Sequence, residues 1–309
     1  MVTVTKLDAL GIGVAVRDIA VRLDEFPSSN KKYQARDLFE VGGGPVPTAL
    51  VTLARLGNRV GFAGVVGDSA TGRFIAESLR KEDVDTSGVV FRQGFHSPTS
   101  VILVENGRRT ILECFQYDLP LSYDELEAKH VPFDQCRFFL MDARLPEIHM
   151  EGARRVRKAG GQVVLDCGHP RRGVDDLLKF TDIAILSYTY PETLHGTDYD
   201  LQNFLANLSH RLPTDGPQIA GLTMGAEGCA IYTPTTSLVR IPGHEVEAVD
   251  STGAGDVFHG AFVHAYLHGE SPVEAARFAN AAAALKCKGM TGRSPLPSEE
   301  DIRRFSNIK

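Results

Sequence analysis

Short apolar runs that end on a polar residue recur along the chain: Phe138-Phe-Leu-Met-Asp142, Val163-Val-Leu-Asp166, Ile183-Ala-Ile-Leu-Ser187 and Ile219-Ala-Gly-Leu-Thr223. A helical pattern follows each one. Continuous apolar strands alternating with helices predict a parallel sheet, because only a strand covered on both faces can dispense with polar positions. Ligands collect at the carboxyl ends of such strands, so Asp142, Asp166, Ser187 and Thr223 are expected along one edge. Two helices are well marked. Ser271-Pro-Val-Glu274 has the form of a capping box with Pro at the first helical position. Val273, Ala276, Asn280, Ala283 and Cys287 then recur at helical spacing. The other helix follows the glycines at 42–44, with Leu50, Leu53 and Ala54 as its apolar stripe and Gly57 suited to its end.

Two stretches have another texture. Residues 19–24 alternate apolar and polar, as a half-exposed strand does. Residues 99–113 hold two β-rich runs joined at Asn106-Gly107, the strongest short hairpin signal. They predict a small β subdomain, about 14–41 and 95–115, attached to one domain spanning 1–309. The segment Leu212-Pro-Thr-Asp-Gly-Pro217 reads as a turn.

Composition narrows the classes. Of 309 residues, 43% are hydrophobic and 23% charged, ordinary for a globular chain. A net charge of -6 argues against a surface built to hold nucleic acid. No apolar run reaches the roughly 18–20 residues of a spanning helix, and Met1 to Leu10 lacks the layout of a secretory signal. Five scattered cysteines, none in a CxxC pair, suggest neither a disulfide framework nor zinc. Buried reduced thiols in a cytoplasmic protein are expected. Lys6, Arg154, Arg155, Lys286 and Lys288 are most simply solvated charges.

The chemistry concentrates in Asp250-Ser-Thr-Gly-Ala-Gly-Asp256, after the β-rich run Val246 to Val249 and before the apolar helix Val257 to Tyr266. Gly253, Ala254 and Gly255 let backbone N–H groups approach a ligand closely. A helix start adds unpaired donors and the positive end of the dipole, which together form an anion site. A cap alone explains one of Asp250, Ser251 or Thr252. It does not explain two glycines and a second aspartate, Asp256, inside the anion site. A carboxylate there can take a proton from an attacking hydroxyl while the N–H groups hold the transferred group. Gly11-Ile-Gly13 is half a dinucleotide fingerprint, but Val16 stands at the third small position. No GxxxxGK[ST] motif is present.

Asp-Ser-Thr-Gly-Ala-Gly-Asp before a small-residue helix resembles the C-terminal signature of the PfkB/ribokinase family of carbohydrate kinases. Gly42-Gly43-Gly44 with its helix resembles the family's sugar-binding diglycine. Val65-Val-Gly-Asp68 with Thr71-Gly72 resembles the following loop, Thr223-Met-Gly-Ala-Glu-Gly228 the nucleotide turn, and Phe278 to Ala284 the late nucleotide-side helix. The resemblance implies a ribokinase-like α/β fold, a mostly parallel central sheet flanked by helices with a small β-sheet lid. It implies ATP and Mg²⁺, Asp256 as general base, and the Gly253, Ala254 and Gly255 N–H groups on the transferred phosphoryl. Asp18, Gly43 and Gly44 would bind sugar hydroxyls, and Ser187, Thr223, Gly225, Gly228 and Asn280 would line the nucleotide. Glu192 would organise Mg²⁺ and phosphate, while Asp250 and Thr252 would hold a monovalent cation such as K⁺ if this member uses one. Two departures stand out. Thr48 replaces the usual Asn of the first signature, and Thr189-Tyr-Pro-Glu192 replaces a motif that begins with Asn.

Tyr33-Gln-Ala-Arg36, Glu40 to Pro45, Asp256 to Gly260 and Ala284 to Cys287 look most like the fructokinase, ketohexokinase and sulfofructose kinase side of the family. Lys32 and Arg144 are similar to substrate-facing bases of the sulfosugar branch. Glu113 falls where that branch offers a neutral amide, and a carboxylate would repel a sulfonate unless paired. A neutral ketose is therefore favoured. The alternatives are a sulfofructose or nucleoside kinase, or a non-catalytic sensor on the same fold. Exposed lid strands need cover, which suggests a homodimer joined through the lid.

Overall fold

The computed structural model describes residues 6–115 and 119–306. Thirteen strands lie within them: β1 Leu7–Ile12, β2 Val16–Arg22, β3 Asp37–Gly43, β4 Val60–Gly67, β5 Val84–Arg92, β6 Thr99–Glu105, β7 Arg108–Glu113, β8 Cys136–Met141, β9 Gln162–Cys167, β10 Ile183–Ser187, β11 Ile219–Thr223, β12 Cys229–Thr233 and β13 Ser237–Ile241. Nine of them form one sheet in the order β13-β12-β11-β10-β9-β8-β1-β4-β5. Neighbouring pairs from β11 to β5 are parallel, and β12 pairs antiparallel with both β11 and β13. The fold is ribokinase-like, a mostly parallel sheet flanked by helices.

The four apolar runs become β8 to β11 for the reason expected of them. All eight residues of β4 and the first four of β10 are buried, so each such strand is sealed by helices on both faces. Two separate cores fill these faces. One gathers the helices Pro45–Arg55, Ala254–Leu267 and Pro272–Lys286 around Phe62, Phe262 and Phe278; the other packs Phe133, Phe139 and Leu205 on the opposite side. The strand order reverses at β1, which lies between β8 and β4. A crevice opens at the carboxyl ends where order reverses.

The second sheet has the order β3-β2-β6-β7, with β2–β6 parallel and the outer pairs antiparallel. Asn106 and Gly107 both have positive φ, 47° and 76°, and join β6 to β7 as a two-residue hairpin. β2 is half-covered in alternation, whereas every residue of β7 is exposed.

Several expectations need correction. The run Val246 to Val249 belongs to no strand; only an isolated bridge joins Asp250 to Gly107. Ser271 caps its helix through the Glu274 N–H at 3.2 Å, but the Glu274 carboxylate pairs with Arg277. Cys136, Cys167 and Cys229 are buried free thiols, whereas Cys114 is exposed beyond the end of β7. Lys286 is no solvated charge, since it is 0% exposed. Helical spacing from Ala279 and Ala282, both fully buried, carries it into the core, where their small side chains leave room for its stem. Among the described residues, no helix is long and apolar enough to cross a membrane.

Candidate active site

The 250–256 segment folds into a tight turn that opens the helix Ala254–Leu267. Gly253 is the N-cap of the helix Ala254–Leu267 with φ 76°, a left-handed conformation that a β-carbon would strain; one placed there would also lie 2.6 Å from the Gly292 carbonyl. Asp256 falls in the first helical turn, where N–H groups lack partners within the helix. Ala254 turns its N–H to the Ser251 carbonyl at a long 3.3 Å. The turn is held from below by Asp250, whose carboxylate is fully buried. Its Oδ1 accepts from the Thr252 N–H at 2.8 Å and hydroxyl at 2.6 Å, and its Oδ2 accepts from the Thr291 N–H at 2.9 Å.

Asp256 is partly buried at the start of that helix. Burial pushes its pKa from 3.8 up to about 7, the Asp166 carboxylate pushes it further in the same direction, and His259 and Arg109 oppose them. A carboxylate that titrates near neutrality is suited to accept a proton and release it. His259 is part of the scaffold: Nδ1 lies 2.8 Å from the Gly255 carbonyl, and Nε2 lies 3.0 Å from that of Ile185. It ties the helix start to β10.

Asp18, on β2, faces the same space. It is 7% exposed, and burial raises its pKa to about 6 against the pull of Arg293 and a hydrogen bond from Ser100. Gly43 lies against it so tightly that a β-carbon would sit 1.9 Å from Asp18 Oδ2. Gly44 is the N-cap of the helix Pro45–Arg55, and Thr48 is buried in that helix's first turns. Thr48 and Gly43 are both contacted by a buried arginine distant in sequence. Arg293 Nε donates to Thr48 Oγ1 at 3.2 Å, and Nη2 donates to the Gly43 carbonyl at 3.1 Å. Arg293, Ser100 and Arg109 were not expected. Arg109 reaches from β7 to the Ser251 hydroxyl and so links the second sheet to the 250–256 turn. Asp142 accepts from the Val14 N–H at 2.8 Å, fixing the exit of β1 against the end of β8.

Ser187 and Thr223 stand side by side at the ends of β10 and β11. Gly225 opens a single 3₁₀ turn and Gly228 closes it, while Asn280 reaches across to donate to the Pro242 carbonyl at 2.8 Å. Glu192 is half-buried in the helix Thr189–His195 that follows β10. Thr189 donates from its hydroxyl to the Gly168 carbonyl at 2.6 Å, so the position that differs from the family pattern still ties two strand ends together. Of the remaining predicted residues, Arg144 pairs with Glu113 at 3.5 Å, and Lys32 is exposed in the 23–36 connection between β2 and β3. A shallow hollow lined by Cys136, Gln162 and Tyr266 lies at the amino ends of β8 and β9, the opposite end of the sheet from these groups.

A model of the pfkB family of carbohydrate kinases matches residues 6–299. The chain belongs to this family. It is a carbohydrate kinase, a phosphotransferase with an alcohol as acceptor. It is 25% identical to a nucleoside kinase of Methanothermobacter thermautotrophicus over 97% of this chain and 96% of that one. It is 27% identical to a ribokinase of Haemophilus influenzae over 85% of this chain and 86% of that one. Its fold matches the structure of Arabidopsis thaliana ribokinase complexed with ribose and ATP, with a TM-score of 0.77 at 23% identity, covering 99% and 100% of the two chains.

Proposed function

We propose that the chain transfers the γ-phosphoryl of ATP to a hydroxyl of a small neutral sugar, a ketose by preference, with Asp256 as the base. The observation that carries this reading is the Asp256 carboxylate, raised to about 7, at the start of the helix Ala254–Leu267. The acceptor hydroxyl loses its proton to Asp256 as its oxygen attacks phosphorus in line. The Gly253, Ala254 and Gly255 backbone then stabilises charge spreading onto the phosphoryl oxygens. Asp18, Gly43 and Gly44 hold the other hydroxyls, and Thr48 supports that segment through Arg293. Ser187, Thr223, Gly225, Gly228 and Asn280 line the nucleotide.

Mg²⁺ bound to nucleotide keeps several waters and takes few protein ligands. Glu192, a lone half-buried carboxylate beyond β10, fits that demand, and we assign it to the ion's water shell. When bound, the ion neutralises charge on the β- and γ-phosphates.

The second sheet serves as a lid over the acceptor. Asp18 and Ser100 project from it towards the site, and Arg109 bridges to Ser251. The Arg144–Glu113 pair offsets the one arginine expected to attract an anionic acceptor, which supports a neutral sugar over a sulfonate. A nucleoside acceptor is the second reading, supported by the full-length match to a nucleoside kinase. An aromatic-lined pocket suits a base, whereas Phe95 and Phe115 pack against the second core. Leu38 on β3 and Leu112 on β7 fall on one face of the second sheet by register and are 67% and 50% exposed. That apolar face supports a homodimer joined lid to lid.

The deciding experiment is ADP release from ATP and Mg²⁺ with ketoses, aldoses, sulfosugars, polyols and nucleosides as acceptors. The highest kcat/KM is expected for a ketose. A nucleoside turned over best would replace the reading with the second one.

A further inference from the structure

Lys286 is the buried cation that the reaction scheme leaves unused. It ends the helix Pro272–Lys286 and is 0% exposed. Its Nζ donates to the backbone carbonyl of Asp250 at 2.7 Å. The Asp250 carboxylate and the Cys287 carbonyl at the base of the turn already have donors, whereas the buried Thr291 hydroxyl has no hydrogen-bond partner. Both Asp250 carboxylate oxygens are taken by Thr252 and Thr291. The Cys287 carbonyl accepts the Val249 N–H at 2.8 Å and the Asp250 N–H at 3.2 Å. A dehydrated monovalent ion needs several oxygens free of competing N–H groups. Here the carbonyl beside it is occupied by an amine and the carboxylate by amides and a hydroxyl. The residues present do not fit the cation that the family resemblance implies for Asp250 and Thr252.

We infer that the Lys286 side chain takes the place of a bound monovalent cation beneath the 250–253 turn, so that this kinase needs no potassium. The inference rests on the kinase reading of the site. A positive group at this point lies behind the anion turn, within electrostatic reach of the Asp250 and Asp256 carboxylates. Burial draws the Lys286 pKa down, and those two carboxylates hold it up. Lys286 touches no reacting atom in this scheme; it is a positioning residue that sets the charge and shape of the turn.

The test is ATP affinity by calorimetry, which requires no acceptor, in KCl and in N-methyl-D-glucamine chloride at equal ionic strength. The wild-type dissociation constant and melting temperature should be the same in both salts. The uncharged Lys286→Met variant should bind ATP about tenfold more weakly in N-methyl-D-glucamine, and KCl should restore part of that loss. A side chain that merely fills space would not create a response to potassium. Wild-type affinity that rises about fivefold or more with KCl would overturn the inference, as would Lys286→Met binding ATP normally without potassium. Should Lys286→Met fail to fold, the wild-type comparison and Lys286→Arg decide. Lys286→Arg, which keeps the charge, should remain insensitive to potassium; a response to the ion in that variant counts against the inference. Salt-insensitive ATP binding without turnover of any acceptor would remove the kinase reading but leave this one standing.

Discussion

Replacing Asp256 by Asn should abolish turnover while making the protein more stable in alkaline solution, a pairing of outcomes that few other positions could give. Loss of a positioned base costs about 10²- to 10⁴-fold in rate, and ATP binding should survive because the anion turn is backbone. The stability effect follows from the raised pKa. The folded protein holds the Asp256 proton up to about pH 7, whereas the unfolded chain releases it near 3.8. Below the lower value both states are protonated and no cost exists. Between the two values only the unfolded state ionises, so stability falls as pH rises, and the full cost is present above about 7. The full shift is worth about 4 kcal/mol at about 1.4 kcal/mol per unit. Asp256 keeps part of its surface at the crevice, so screening leaves about 2 kcal/mol. Asn carries no charge to bury and should recover that amount at pH 8 but little at pH 4.5. With an unfolding entropy of about 2 cal/mol/K per residue, the gain is about 3 °C in melting temperature. Thermal melts of both proteins at the two pH values, beside ADP-release assays, test both halves. Retained turnover in Asp256→Asn would refute the base assignment. An equal melting difference at both pH values would refute the electrostatic account.

Asp18 titrates near 6, so the acceptor KM should rise as pH falls through that value while kcat changes less; a flat KM between pH 5 and 8 would count against a sugar-binding carboxylate. Arg293 holds the Asp18 pKa down, so Arg293→Gln should move that acid limb to higher pH and lower the melting temperature, both measurable on one preparation. Gly43→Ala would drive a methyl group to 1.9 Å from Asp18 Oδ2; acceptor KM should rise at least about tenfold with ATP affinity unchanged, and an unaltered KM would remove Gly43 from the sugar site. Light scattering at micromolar concentration should give a homodimer, twice 33.6 kDa, and Leu112→Glu on the exposed lid face should split it; a wild-type monomer would defeat the lid-to-lid arrangement.

What could be read in the sequence was whatever obeys a local rule. The runs ending at Asp142, Asp166, Ser187 and Thr223 are continuous because parallel strands are covered twice, and they became β8 to β11 or their ends. Asn106-Gly107 sets a hairpin because its two residues tolerate positive φ. Gly253 to Asp256 stood out as small residues before an acid, and that cluster opens the helix Ala254–Leu267, where the positive φ of Gly253 favours glycine. Arg293 escaped because its meaning is a distance in space. Only the folded chain brings it 3.2 Å from Thr48 across 245 positions, where it donates to the threonine hydroxyl. Arg109 escaped for the same reason: its contact with Ser251, 142 positions away, exists only in the folded chain. Lys286 is the sharper case, since the signal was present. Its place one and two helical turns beyond Ala282 and Ala279 points it inward, but charge argued for solvent, and in a single sequence the prior on lysine outweighs one helical phase. The phase prevailed because the unfilled acceptor at the Asp250 carbonyl lies within reach of a lysine stem running past alanines. A buried lysine therefore becomes foreseeable when small residues flank it at helical spacing and the helix ends beside an acidic turn, and this chain meets both conditions.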